Sequence, residues 1–306
     1  LPVTSRSHKT TIRVQPNMKK DIALVLSSGG ARGFAHIGAI KVLEEQGYNI
    51  TSVAGTSMGA LVGGVFAAGR LKEFEEWVCS LDRMEVLRLT DLTISNKGLV
   101  KGIKIIERIK EIVPDCRIEE LPIPYCAVAT DILKGRENVF CEGSLYDAIR
   151  ASISIPTVFL PFRIGGDYFV DGGVVNPVPI NRVSRNGNDL LAVVAVNSNI
   201  PHETKTEQQT DPEDNRYLRR IRNIQAKLSI DIPKNKTDNI GIFNLTNRSI
   251  SIMLSQIASL TLASHHVDIM IQVSKEAFGT YDFYKAAEII KEGEAAALKA
   301  LGASVH

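Results

Sequence analysis

From Ile22 to Gly69 the hydrophobic pattern alternates between two periods. IALVLSS (22–28) is a continuous apolar run ending in glycines, the pattern of a strand buried on both faces. FAHIGAIKVLEEQG then spaces Phe34, Ile37, Ile40 and Leu43 at helical intervals and stops at Gly47. ITSVAGT predicts a second strand, and MGALVGGVFAAG a second helix that Gly69 ends. Strand, glycine turn and helix, twice over, is the order of a parallel sheet with covering helices. Further strands are predicted at YCAVAT (125–130), ENVFCEG (137–143), DYFVDGG, DLLAVVAVNS (189–198) and VDIMIQVS (267–274). SLYDAIRAS predicts a helix from Ser144, and YKAAEIIKEGEAAALKAL a C-terminal helix or helix pair. No internal repeat is present.

Two segments break the pattern. Residues 1–20 are polar and basic, with no apolar segment, and read as an N-terminal extension outside a single domain spanning 21–306. A densely charged stretch near 202–239 reads as an insertion: a lid, a partner surface or a solvated helix with loose flanks. The stretch from Asn96 to Val113 interleaves Lys101, Lys104, Arg108 and Lys110 with isoleucines. Such a helix either touches an anionic membrane or simply covers the sheet.

Composition narrows the function. Of 306 residues, 44% are hydrophobic and 23% charged, which is globular. With 36 basic and 34 acidic residues the net charge is +2, so no basic field points to nucleic acid. No apolar run reaches the ~20 residues of a membrane span. The expected location is cytoplasmic or peripheral to a membrane; Leu1 in place of a start Met leaves a cleaved leader, and so export, open. Cys79, Cys116, Cys126 and Cys141 form no CxxC pair and no ligand spacing with histidine, which predicts reduced, mostly buried thiols.

The candidate chemistry lies at the two glycine turns. Gly55-Thr56-Ser57-Met58-Gly59 is GxSxG between a predicted strand and a predicted helix. A serine on so tight a turn needs neighbours without a Cβ, which Gly55 and Gly59 supply. The alternative is an ordinary helix start capped by Ser57. SSGGARG (27–33) fits neither GxGxxG nor a P-loop, because Ser28 fills the first glycine position and no Gly-Lys-Ser/Thr follows. It does offer successive backbone N–H groups at a helix start, a cradle for an oxyanion. Parallel neighbouring strands set this loop beside Ser57.

The base is open from the residues alone. His36 lies in the first predicted helix, where a buried hydrogen-bonded role is expected. Ser57, Asp171 and then His265 or His266 follow the chain order of an α/β-hydrolase triad. Asp171, in DGGVVNPVPI, is the other candidate, although Asp-Gly-Gly alone usually marks a turn.

LVLSSGGARGFAHIGAIKVLEE, VAGTSMGALVG, AVATDILKG, AIRASISIPTVFLPF and DGGVVNPVPI occur in this order. Together they resemble the bacterial patatin-like phospholipase family, densely from Asp21 to Val196 and loosely thereafter. The resemblance implies a three-layer α/β/α sandwich with a mainly parallel central sheet. It implies a Ser–Asp dyad with Ser57 as nucleophile and Asp171 as base, and with Gly172 and Gly173 completing the Asp-Gly-Gly motif. Gly29, Gly30, Ala31 and Arg32 carry over as the oxyanion hole. The chain departs from the family at Ser28 and Thr157, where glycines are usual.

The implied activity is lipid acyl hydrolysis of the phospholipase A, lysophospholipase or carboxylesterase type, through an acyl-serine. The implied partner is a phospholipid or other acyl ester, with peripheral membrane contact and no nucleic acid. No cofactor and no metal is implied. An aspartate of ordinary pKa, near 3.9, is a poor base for a serine, so the cradle must carry much of the barrier. Two rival functions stand beside this one: a histidine-dependent α/β-hydrolase using His265 or His266, and a non-catalytic adaptor that binds lipid or protein through the 202–239 segment.

Overall fold

A computed structural model of the chain describes residues 20–89, 103–113, 116–156, 158–202 and 242–302. The extension before Lys20, Lys101, Thr157 and all of the charged stretch except His202 lie outside the described residues. The strands are β1 (Lys20–Leu26), β2 (Tyr48–Thr56), β3 (Tyr125–Asp131), β4 (Arg136–Phe140), β5 (Phe162–Ile164), β6 (Asp167–Asp171), β7 (Leu190–Ser198) and β8 (Ile269–Ser274). The helices are α1 (Ala35–Glu45), α2 (Met58–Ala67), α3 (Leu71–Ser80), α4 (Arg83–Leu89), α5 (Ile103–Ile112), α6 (Leu145–Ser152), α7 (Ile242–Ala263) and α8 (Ala286–Ala300).

One eight-stranded sheet runs β5-β6-β3-β2-β1-β7-β8, with β4 attached to β3. Its central strands β3, β2, β1, β7 and β8 are parallel. The apolar runs alternate between two covered faces. Ile22, Leu24 and Leu26 join Ala192 and Val194 under α1, α2, α3, α6 and α8. Ala23, Val25, Leu191 and Val193 face the other way, against Val178, Ile180 and the inner side of α7. The layers are therefore helix, sheet and helix, the three-layer α/β/α arrangement. The C-terminal segment is a single helix, α8, and not a pair.

The mixed end of the sheet is not a simple continuation of the parallel pattern. Residues Ala127–Asp131 of β3 pair antiparallel with β4. Both other partners must therefore share the opposite edge. There β2 takes Tyr125–Val128, parallel, and β6 takes Ala129–Asp131, antiparallel. The strands β2 and β6 thus run toward each other along one edge and meet end to end. Thr56 lies across from Val128 and Asp171 across from Ala129.

Two of the four cysteines are not the reduced thiols expected. Cys126 and Cys141 are disulfide-bonded, with Cα atoms 4.4 Å apart, because the β3–β4 ladder that pairs Ala127 with Phe140 brings the next residues of each strand face to face. Cys79 is exposed and Cys116 half-buried, and neither is disulfide-bonded. The basic helix expected over 96–113 is described from Ile103; Ile109 and Val113 are buried in the main core and Lys104, Arg108 and Lys110 are exposed.

Helices α1 and α8 approach unusually closely. A Cβ on Gly38 would lie 2.1 Å from Ile290 O, and one on Gly293 would lie 2.0 Å from Ala35 O. Both obstacles are backbone, so neither can swing aside. Gly293→Ala gains about 1 kcal/mol in helix propensity, yet it forces the two helices apart at a cost of about 1–3 kcal/mol. We predict a net loss of stability, read as a lowered urea midpoint at unchanged slope; an unchanged or raised midpoint contradicts the close packing.

Candidate active site

Where β2 ends, Ser57 turns the chain into α2 with φ 57° and ψ −124°. Among the described residues it is the sole non-glycine at positive φ. A residue held there stores about 1–3 kcal/mol of backbone strain. The crowding explains the flanking glycines: a Cβ on Gly55 would lie 2.3 Å from Gly59 O, and one on Gly59 2.3 Å from Leu26 O. The Ser57 hydroxyl does not cap α2, and Ser57 N–H donates to Ser152 Oγ at 2.8 Å, while Ser152 Oγ donates to Val128 O at 2.6 Å. Sequence reasoning treats Ser152 only as part of AIRASISIP. Its hydroxyl ties the end of α6 to both the Ser57 turn and β3. The signal available was the Ser144 cap, which accepts from Asp147 N–H and fixes the register of α6.

The meeting of β2 and β6 delivers Asp171 to the same point. Ser57 Oγ donates to Asp171 Oδ2 at 2.5 Å, and Gly173 N–H donates to Oδ1 at 2.7 Å. The Asp171 backbone is held on both sides: its N–H donates to Ser154 O at 2.9 Å and its carbonyl accepts from Thr130 Oγ1 at 3.0 Å. Gly172 lets this turn press against β3, since a Cβ there would lie 2.1 Å from Val128 O. Ser57 and Asp171 are 3% and 6% exposed, so water hardly solvates the carboxylate. Burial pushes the Asp171 pKa up to about 6, against the opposing pull of the hydrogen bonds from Ser57 and Gly173. The value of an ordinary aspartate, used in the sequence reading, does not apply to this group.

The glycine loop lies beside them, between β1 and α1. Ser28 N–H donates to Pro177 O at 2.9 Å and Ala31 N–H to Thr280 O at 2.9 Å. Between those anchors, the N–H groups of Gly29 and Gly30 have no partner among the described residues. Gly30 has φ 56°, and a Cβ there would strike Thr280 O at 2.7 Å. The Arg32 side chain turns away from the serine: Nε donates to Asn197 Oδ1 at 2.7 Å, Nη1 to Phe278 O at 2.8 Å and Nη2 to Thr280 Oγ1 at 3.2 Å. Asn197 in turn donates to Ser28 O at 2.8 Å. Residues 275–280 and Asn197 thus clamp the loop from behind, a role no local motif announces.

The histidines do not join this group. His36 is fully buried and donates from Nε2 to Ser27 O at 2.8 Å; burial lowers its pKa to about 4, so it is neutral. His265 is bonded to Thr261 O at 2.8 Å, and His266 is 91% exposed beside Asp268. Both precede β8, at the N-terminal ends of the parallel strands, whereas Ser57 and the glycine loop follow C-terminal ends. A strand's length, on the order of 20 Å, separates the two ends. A cavity of about 450 Å³ opens over Ser57, Asp171, Gly29 and Gly30, roofed by Ile250, Leu254, Ala258 and Leu262 of α7; no imidazole lines it among the described residues. Its place outside the carboxyl ends of the strands is the usual one for ligands of open α/β sheets. The described residues contain no cluster of metal-ligating side chains and no helix long and apolar enough to cross a membrane.

Residues 24–183 match the family described as patatin-like phospholipase. The chain is similar to an uncharacterized NTE family protein of Mycobacterium tuberculosis, at 35% identity covering 95% of this chain and 94% of that protein. It is similar to lysophospholipase NTE1 of Kluyveromyces lactis at 36% identity, covering 58% of this chain and 13% of that protein. Among solved structures it is similar to VipD from Legionella pneumophila, with a TM-score of 0.46, 15% identity and coverage of 93% of this chain and 67% of that one.

The buried carboxylate carries a pH signature. In the folded chain Asp171 holds its proton up to about pH 6, while an unfolded aspartate releases it near 3.8. Between those values the folded state binds more protons, so this group's contribution to stability falls as pH rises through the window. About two units correspond to roughly 3 kcal/mol at most. Asp171→Asn removes this loss. We predict that it stabilises the fold at pH 7 but not at pH 3.5, as measured by urea unfolding at both; equal effects at both pH values contradict the desolvated carboxylate.

Proposed function

Because the chain belongs to the patatin-like phospholipase family, we propose that it is a lipid acyl hydrolase with Ser57 as nucleophile and Asp171 as its general base. The observation that carries this reading is the 2.5 Å hydrogen bond from Ser57 Oγ to Asp171 Oδ2. It joins a strained serine to a dry carboxylate in a cavity that no imidazole lines among the described residues. Its length is within the reach a base needs for the proton it takes.

In this reading Ser57 Oγ attacks the ester carbonyl carbon while Asp171 takes the hydroxyl proton. The oxyanion that forms is held by the free N–H groups of Gly29 and Gly30, whereas Ala31 and Arg32 keep the loop in place. One such donor is worth about 3–4 kcal/mol in other serine hydrolases. Collapse breaks the ester C–O bond, and the leaving alcohol oxygen takes the proton from Asp171. Water then gives a proton to Asp171 and attacks the acyl-serine; the proton returns to Ser57 Oγ as the free acid leaves. Burial aids the base twice. It moves the pKa toward the working pH, and it fixes the carboxylate by Gly173 N–H so that one oxygen always faces Ser57. The lysophospholipase names of the yeast relatives support a lipid ester as substrate.

The test is hydrolysis of a p-nitrophenyl acyl ester together with fluorophosphonate labelling. Ser57→Ala and Asp171→Asn each lower kcat by roughly 10⁴-fold or more, and the probe labels wild type at Ser57. His265→Ala and His266→Ala stay within about twofold, since neither imidazole comes near the reacting proton. Labelling at another serine, or an inactive His265 or His266 variant that still folds, refutes the dyad; a wild type inert to ester and probe leaves the adaptor reading in its place.

The pH–rate profile gives a further expectation. The ionised carboxylate is the active form, so kcat/KM rises with pH through a single acid limb near 6, the pKa that burial imposes on Asp171. This limb sits where an imidazole's would, so it must persist in the two histidine variants. A limb near 4, or one that vanishes with either histidine, contradicts the assignment.

A further inference from the structure

The cavity over Ser57 has two unlike ends. Toward Ile155, Val174, Val178 and the row Ile250, Leu254, Ala258 and Leu262 of α7 its wall is apolar, with the small hydroxyls of Ser251, Ser255 and Ser259 beside that row. Toward the carboxyl ends of β7 and β8 it is polar, with Asn199, Gln272 and Lys275. Charge on the described lining is sparse: Asp171 is its one carboxylate, and Arg32 and Lys275 are its cations. The Arg32 guanidinium is taken by Asn197, Phe278 and Thr280. Lys275 Nζ has neither a hydrogen bond nor an ion pair among the described residues. The Lys275 backbone is fixed nonetheless. Its N–H donates to Ser198 O at 3.0 Å, and its carbonyl accepts from Arg32 Nη1 at 3.3 Å. An ammonium with no partner among the described residues is therefore anchored through Arg32 to the same loop that presents Gly29 and Gly30.

We propose that Lys275 receives the phosphate of the lipid whose ester Ser57 cleaves, and that this lipid is a monoacyl glycerophospholipid with a net negative head group. The inference rests on the hydrolase reading above and names its substrate. An acyl chain fits the apolar end, and a cavity of about 450 Å³ is sized for one small ligand. In such a lipid the phosphate stands a few bonds from the ester, across glycerol, and so leaves toward the polar wall. A phosphodiester needs a cation and donors, which Lys275 and the amides of Asn199 and Gln272 supply. A quaternary ammonium needs an aromatic cage or a free carboxylate. The described lining has one aromatic ring, Tyr281, and Asp171 is already bonded to Ser57 and Gly173. A choline group has no counterpart there and would lie beside Lys275.

The experiment compares lysophosphatidylglycerol with lysophosphatidylcholine of the same acyl chain, both monomeric and at low salt. Each rate is divided by the same variant's rate on the p-nitrophenyl ester of that chain, and folding is checked by thermal melting. Wild type favours the anionic lipid in kcat/KM. Lys275→Gln brings the ratio toward one, and Lys275→Glu reverses it, for a total change of roughly tenfold or more carried in KM. Raising the salt to 0.5 M weakens the wild-type preference. A wild type that cleaves the p-nitrophenyl ester but prefers choline lipid, or a Lys275→Glu protein with the wild-type ratio, overturns this inference and leaves the hydrolase reading standing. A wild type that cleaves none of the three overturns both. Millimolar inorganic phosphate that inhibits wild type but not Lys275→Glu, while neither protein distinguishes the two lipids, assigns the site to a free anion, against the lipid.

Discussion

Everything at the candidate site follows from how β3 shares its edge. A strand has two edges, and β4 fills one of them over Ala127–Asp131. On the other, β2 and β6 arrive from opposite directions and stop at neighbouring positions, Val128 and Ala129. Backbone hydrogen bonds of the ladder therefore fix the separation of Ser57 and Asp171 before any side chain acts. Ser152 then locks the junction by reaching both Ser57 N–H and Val128 O. A site set by main-chain pairing is positioned by the stiffest part of the molecule, which is what proton transfer over a short hydrogen bond requires.

The same junction sets the electrostatics. A carboxylate at the end of a buried strand is withdrawn from water, and the few donors that reach it replace only part of its hydration. The strained turn at Ser57 and the raised pKa of Asp171 both cost the fold free energy. The broad apolar faces of β1 and β7, covered on both sides, offset these local costs. In the proposed function, activity and stability pull in opposite directions at these two residues.

Much of this was legible from local pattern. The buried strands at 22–28, 50–56 and 189–198, the helices after each glycine turn and the GxSxG elbow come from short-range periodicity and sterics, which survive folding unchanged. The triad order of Ser57, Asp171 and His265 or His266 was equally legible, yet both histidines lie before β8, at the other end of the strands from Ser57; chain order says nothing about which end of a strand a residue occupies. The shared edge of β3, the Cys126–Cys141 bond and the Gly38–Gly293 contact between α1 and α8 depend on which strands or helices become neighbours, and no local window contains that. The Asp171 pKa was misjudged for a related reason: its value is set by dehydration, which requires knowing what covers it. Asn197, Thr280 and Lys275 support the loop and the cavity from far along the chain, and each looks like an ordinary polar residue in sequence.

The roof of the cavity has a different standing from its floor. Ser57 and Asp171 take their hydrogen bonds from Ser152, Ser154, Thr130 and Gly173. Helix α7 contributes none of these, although Ile250, Leu254, Ala258 and Leu262 face the same space. The hydrogen bonds that hold the Ser57–Asp171 pair therefore come from the strands and turns before residue 183, and much of the surface above the pair comes from one helix about sixty residues later. Side chains on that helix can be exchanged, and the space above the pair reshaped, without removing a hydrogen bond from Ser57 or Asp171.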